Sequence, residues 1–319
     1  MAMAPSQLAD AVSPGAPGGL PDAHPLCPGG PALSPIVAGC WRLSDWGFSP
    51  AQTLAWIEQC ADLGVTSFDH ADIYGGYTVE EAFGAALALK PALREQLQLV
   101  TKCGIKLVHP ARPAHRLKSY DTSAAHLRHS VEQSLRALRT DRIDLLLIHR
   151  PDALMDAQAI AHAVDGLKRS GKVLHFGVSN FTPSQFELLD GATRLATNQI
   201  ELHPLHLAPL HDGTLDQAQR LARRPMIWSP LAGGRLLGGD ESDAAQRVRW
   251  VLGSVAARLG VSPATLAYAW LLRHPSRPVP VTGTRRIAAM QDALAALALE
   301  LDTETWYEIW QAGSGHEVP

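Results

Sequence analysis

The chain has 319 residues, of which 46% are hydrophobic and 18% charged, with a formal net charge of -3. Such a composition belongs to a globular protein with a sizeable core, in one or two domains, and α/β barrels run past about 250 residues as a single one. Near-neutral charge excludes a nucleic-acid binder, which needs a concentrated basic face, and no apolar run reaches the roughly 18–20 residues of a membrane span.

In chain order, Met1 to about Gly30 is rich in Pro, Gly, Ala and Ser, including PGAPGGLP. This stretch is expected to be a flexible lead over residues 1–30, with room for a short segment laid on the barrel surface, followed by a single barrel domain over 31–319. It lacks the basic start and apolar core of a signal peptide. Together with four cysteines that form no CxxC pair, this predicts a cytoplasmic protein. Short β-prone runs follow at Ile36–Ala38, Thr66–Phe68, Leu97–Thr101, Ile143–Ile148, Val173–Gly177, Thr197–Gln199, Pro225–Trp228 and Val279–Val281. Longer amphipathic stretches separate them. The clearest is His126–Leu138, where Leu127, Val131, Leu135 and Leu138 share one helical face. Leu145-Leu146-Leu147-Ile148 is apolar without alternation, as in a strand covered on both faces. Gly64 and Ser170-Gly171-Lys172 end helices just before strands. Eight such repeats predict an α/β fold closed as a (β/α)8 TIM barrel. No Gly-x-Gly-x-x-Gly follows the first strand, so any dinucleotide is bound by other means.

Barrel chemistry lies in the loops at the C-terminal strand ends. There the sequence places Asp69-His70-Ala71-Asp72-Ile73-Tyr74-Gly75-Gly76, then Lys102, His149-Arg150-Pro151-Asp152, Ser179-Asn180, Gln199 and Trp228-Ser229-Pro230. A lone Asp or Lys at a strand end is ordinarily just solvated, but the set has a chemical logic. A phenol with a pKa of about 10 exchanges protons poorly at neutral pH. A nearby ammonium favours its anion, and a carboxylate fixes that ammonium. Asp69, Tyr74 and Lys102 therefore read as one proton-transfer unit. His149 opens a polar loop rather than sitting within the apolar run, which suits contact with a substrate carbonyl better than a core position.

These segments resemble the aldo-keto reductase family, in particular bacterial members whose second strand runs into a DHADIYGGY-type motif. The resemblance rests on Phe68 to Gly75, Val100-Thr101-Lys102, Asp144 to His149 and Gly177-Val178-Ser179-Asn180-Phe181, and spans roughly Pro35 to Ala312. It implies an enzyme that reduces aldehydes or ketones reversibly, with hydride from NADPH (NADH also possible) and a proton from Tyr74. Lys102 would lower the Tyr74 pKa, Asp69 would hold Lys102, and His149 would orient the carbonyl. Ser179, Asn180 and Gln199 would bind the carboxamide and Trp228 would cover a ring face, beside Ser229. Leu231, Gly233 and Arg235 would meet the pyrophosphate. Gly283, Thr284, Arg285 and Arg286 would hold the adenosine end and its extra phosphate. The adenine-gripping Glu-Asn pair of the family is here Gln291-Asp292, and its phosphate-reading arginine position is Ala288. The neighbouring arginines still favour NADPH.

Trp41, Trp46 and Tyr77 are the expected walls of the substrate pocket, although Trp46 suits packing at the barrel end equally well. The partner is a small carbonyl compound, with no nucleic acid or membrane. A monomer is expected, a dimer being left open. Two other functions fit parts of the chain. A metal-dependent barrel hydrolase would draw on His70, Asp72, His149, His203 and His206, but their spacing forms no ligand pair, and no metal is expected. A non-catalytic nicotinamide-binding regulatory subunit would keep the same residues without turnover.

Overall fold

The computed structural model describes residues 23–319; most of the expected lead, residues 1–22, lies outside the described residues. Eight strands form a closed, all-parallel barrel: β1 (Val37–Gly39), β2 (Ser67–Asp69), β3 (Gln98–Cys103), β4 (Ile143–Ile148), β5 (Val173–Ser179), β6 (Asn198–Glu201), β7 (Met226–Trp228) and β8 (Val279–Thr282). Each pairs with its neighbours in sequence, and β8 closes on β1. All eight expected strands are present, with ends that differ by a few residues.

Strand alternation explains the apolar run in β4. Leu145 and Leu147 point inward, onto Val37, Val100, Met226 and Val279. Leu146 and Ile148 point outward, under helices α3 (Ala124–Leu138) and α4 (Ala157–Arg169). The buried stripe of α3 is the expected Leu127, Val131, Leu135 and Leu138, extended by Ser130 and Ser134. Helix α2 (Val79–Leu87) lies so close to α3 that a Cβ on Gly84 would fall 2.0 Å from the Ala137 carbonyl oxygen. Two helices, Asp243–Leu259 and Pro263–Leu272, stand between β7 and β8 in place of one. Among the described residues no single helix is long and apolar enough to cross a membrane. All four cysteines are free and buried.

Part of the expected lead lies within the described residues. His24–Pro25 pairs antiparallel with Ala32–Leu33, and Leu26, Cys27 and Leu33 are buried with the inward side chains of the strands. This hairpin, tied down by the Arg224 N–H donating to the Leu26 carbonyl at 2.8 Å, closes the N-terminal mouth of the barrel. Leu26 and Cys27, within the expected lead, are therefore packed onto the barrel. The open barrel end exposes apolar side chains, and even two hydrophobic residues in a Gly/Pro-rich stretch suffice to cover them.

Candidate active site

The alternation that turns Val100 inward also turns Lys102 inward, two residues nearer the C-terminal rim, and Asp69 ends β2 beside it. Lys102 Nζ donates to Asp69 Oδ2 at 2.6 Å, to the His70 carbonyl at 2.8 Å and to Tyr74 Oη at 3.1 Å. All three ammonium protons are thus used on atoms of one loop. Tyr74 reaches this point because the chain turns back sharply after it: Gly75, Gly76 and Tyr77 have φ of 56, 65 and 72° before α2 begins. A side chain on Gly75 would be strained and would meet Ser44 Oγ at 2.5 Å. The His149 ring stands edge-on to the Tyr74 ring, with centroids 5.8 Å apart. The structure thus brings Asp69, Tyr74, Lys102 and His149 together.

Electrostatics refine the expected roles. Burial pulls the Lys102 ammonium down, but the Asp69 carboxylate and the Tyr74 oxygen outweigh it, so its pKa sits above the ordinary value. Tyr74 departs from expectation: burial pushes its phenol above the ordinary value, against the downward pull of Lys102. The reason is local, because Asp69 largely neutralises the ammonium and itself disfavours a second anion. Tyr74 is therefore a protonated phenol at neutral pH. Burial, then Lys102 and Arg150, hold His149 well below its ordinary pKa, so the imidazole is neutral.

His70 is depressed to about 3 by burial and then by Lys102. Its ring lies edge-on to Phe83 at 4.4 Å, and neither ring nitrogen has a protein partner. A histidine neutral in the fold takes up a proton on unfolding, so its stabilising share is complete above the unfolded value of 6.5 and is lost as pH falls towards about 3. The unfolding free energy measured in urea is expected to fall below pH 6, with His70 contributing about 1.4 kcal/mol per pH unit in the steep region. His70→Leu should lose that share of the slope; an unchanged slope would contradict it.

The other expected residues fall into groups. Ser179 Oγ donates to the Gln199 carbonyl at 2.8 Å, and Asn180 Nδ2 donates to Ser179 Oγ at 2.8 Å. Trp228 Nε1 donates to Asn180 Oδ1 at 2.9 Å. Gln199 Nε2 donates to Asp69 Oδ1 at 2.8 Å, so both carboxylate oxygens of Asp69 are engaged. This second anchor was not among the expected roles of Gln199. Ser229 has a positive φ of 51° and opens the 231–235 turn, in which Gly233 has φ 69°. Arg235 reaches Asp240 at 3.3 Å with half its side chain exposed. Gly283, Arg285, Arg286 and Gln291 are exposed. Thr284 Oγ1 accepts from the Arg286 N–H at 3.1 Å. Asp292 is drawn into a helix brace, its Oδ1 accepting from Ser262 Oγ at 2.9 Å.

Of the expected pocket walls, Trp41 is 58% exposed. Tyr77 Oη accepts from the Leu107 N–H at 2.9 Å. Trp46 packs on Phe48 and Trp56, with centroids 5.6 and 5.0 Å away. Of the residues a metal hydrolase would draw on, His203 bonds Glu201 at 3.0 Å and lies beside His206, while His70 is packed against Phe83. Three arginines to which the sequence assigned no role stand near these residues. Arg42 donates to the Gly233 carbonyl at 3.1 Å, and Arg112 and Arg150 lie over the Tyr77 and Trp228 rings. Only Arg150 left a signal, its place next to His149.

A model of the aldo/keto reductase family matches residues 35–313. The uncharacterised oxidoreductase YcsN of Bacillus subtilis (strain 168) is 49% identical, covering 90% of this chain and 96% of its own. A 6-dehydroglucose reductase of Agrobacterium fabrum is 45% identical, with 90% and 96% covered. The structure of the glycerol dehydrogenase AKR11B4 from Gluconobacter oxydans superposes with a TM-score of 0.80 at 24% identity, over 93% of this chain and 96% of that one, a likeness of fold.

Proposed function

The chain belongs to the aldo/keto reductase family, and from that premise we propose that it reduces aldehydes or ketones to alcohols, reversibly, with NADPH. The observation that carries this reading is the ammonium of Lys102 shared between Asp69 and Tyr74 at the mouth of the barrel. It prepares one phenol to give up a proton where a carbonyl can reach it.

The rim suits a nicotinamide dinucleotide. Asn180 and Trp228 hold each other, Gly234, with φ 105°, meets nothing within 4 Å of its Cβ position, and Arg285 and Arg286 have no ion-pair partner among the described residues. Ser179, Asn180 and the free Oε1 of Gln199 would meet the carboxamide, and Trp228 a ring face. The 231–235 turn with Arg235 would lie by the pyrophosphate. Gly283, Thr284, Arg285 and Arg286 would take the adenosine phosphate, and this charge is why NADPH is preferred to NADH. Gln291 remains free for adenine, whereas Asp292 is committed to Ser262.

When bound, the reduced nicotinamide supplies hydride to the carbonyl carbon. Tyr74 Oη gives its proton to the carbonyl oxygen. Lys102 then faces the phenolate at hydrogen-bond distance and offsets its charge. Asp69, held by Gln199, keeps the ammonium in place, while neutral His149 donates a hydrogen bond to the same carbonyl oxygen. In the reverse direction Tyr74 is the base, which its raised pKa assigns to alkaline solution.

Loss of NADPH absorbance with aromatic aldehydes, dicarbonyls and simple ketones tests this reading. The panel includes 6-dehydroglucose, for which the Agrobacterium relative is named. Aldehyde-dependent oxidation of NADPH faster than of NADH is expected; no oxidation with any carbonyl would overturn the proposal.

A further inference from the structure

The loop between β3 and α3 carries Lys106, Arg112, Arg116 and Lys118, with His109 and His115, and no acidic residue before Asp121. It is fastened over the segment that holds Tyr74. A short hairpin pairs Ile105–Lys106 with Ser119–Tyr120, and the Leu107 N–H donates to Tyr77 Oη at 2.9 Å. The His109 ring covers Gly76, where a Cβ would come within 2.6 Å of Nε2. At the end of this loop Arg112 Cζ stands 4.4 Å from the centre of the Tyr77 ring. Next to His149 in sequence, Arg150 Cζ stands 5.8 Å from the centre of the Trp228 ring, which Asn180 holds in place.

Neither guanidinium has a carboxylate within ion-pair distance among the described residues. An aromatic face orients a guanidinium through its flat side and leaves its N–H edge to other partners; Arg112 Nη1 donates to the Ala111 carbonyl at 3.0 Å, and Nε and Nη2 have no partner among the described residues. An anion on that edge is not a cofactor phosphate. The strand order puts the β3 loop across the barrel mouth from β7 and β8, whose loops carry Arg235, Arg285 and Arg286. Arg112 lies instead over the ring of Tyr77, three residues after Tyr74 in the same loop.

We propose that the reductase takes carbonyl substrates bearing an anionic group, a carboxylate or a phosphate, gripped by Arg112 with His109 beside it, while Arg150 and the basic loop draw such substrates in. The proposal rests on the carbonyl-reductase reading and adds the substrate class. The Nε–Nη2 edge that Ala111 leaves unused suits both anions bidentately, and a loop of one sign at the mouth raises the encounter rate with either.

Matched substrate pairs test it: 4-carboxybenzaldehyde against methyl 4-formylbenzoate for the carboxylate, and glyceraldehyde 3-phosphate against glyceraldehyde for the phosphate. In at least one pair the charged member is expected to have kcat/KM about ten- to a hundredfold higher, mostly through KM, the range a charge-assisted contact supplies. The ratio should fall with salt. Arg112→Gln should bring it near one, and Arg112→Lys should restore part of it. Calorimetric binding of 4-(hydroxymethyl)benzoate should follow the same order of variants. The pair that shows the preference identifies the anion. Equal efficiencies in both pairs, or a preference that survives Arg112→Gln, would overturn the proposal and leave the reductase reading standing. Failure to reduce any of the four compounds or any neutral carbonyl would overturn both.

Discussion

Tyr74→Phe is expected to lower kcat by about a hundred- to ten-thousandfold, the usual worth of a positioned proton donor, with nicotinamide affinity changed less than about threefold. The substitution removes one oxygen. That oxygen is bonded to Lys102 Nζ at 3.1 Å, and the ring remains packed against the barrel-wall core and edge-on to His149. Because the phenol's pKa is raised, wild-type reduction should hold steady through neutral pH and alcohol oxidation should climb into the alkaline range. The variant's residual rate should lose this rise. Steady-state kinetics in both directions, with cofactor titration by fluorescence, provide the check. Near wild-type kcat in Tyr74→Phe would assign the proton to another group.

Lys102→Met should affect stability as well as rate. The Lys102 and Asp69 side chains are 1% and 4% exposed, and removing one partner strands the other charge. Breaking such a buried pair costs about 3–5 kcal/mol. The Asp69 carboxylate would retain Gln199 as its side-chain donor, and the His70 carbonyl would lose the ammonium proton it accepts at 2.8 Å. Activity should fall at least as far as in Tyr74→Phe, because the phenolate left by proton transfer would no longer be offset. The double variant Lys102→Met with Asp69→Leu separates the two effects. It replaces both charges with apolar groups, so stability should recover by several kcal/mol while activity does not. Denaturant unfolding and turnover read the two quantities; recovery of activity in the double variant would contradict the assigned role of Lys102.

The barrel was legible because its signal repeats: eight β-prone runs separated by helical stretches admit few closures, and each expected run lies in a barrel strand or overlaps its end. Asp69, Tyr74, Lys102 and His149 stood out because reactive side chains at strand ends share one rim. Features set by distant parts of the chain were hidden. Leu26 and Cys27 pack inside the barrel although their surroundings read as a lead. The balance at Tyr74 depends on burial, which outweighs the pull of Lys102. Trp46 faces Trp56 and Phe48, a choice the sequence left even. Asp292 is spent on Ser262, thirty residues away. Arg112 has no periodic pattern around it, and its place over Tyr77 follows from the path of a loop that only the fold defines.

Hydride delivery to a carbonyl carbon with Tyr74 as proton donor can be read out by isotope transfer. The enzyme is given NADPH deuterated at its transferable position and a reducible aldehyde, and the alcohol is analysed by NMR. Deuterium is expected on the carbinol carbon in wild type, with formation of that product slowed at least about a hundredfold in Tyr74→Phe. An alcohol formed without deuterium at that carbon, or formed as fast by Tyr74→Phe, would contradict it.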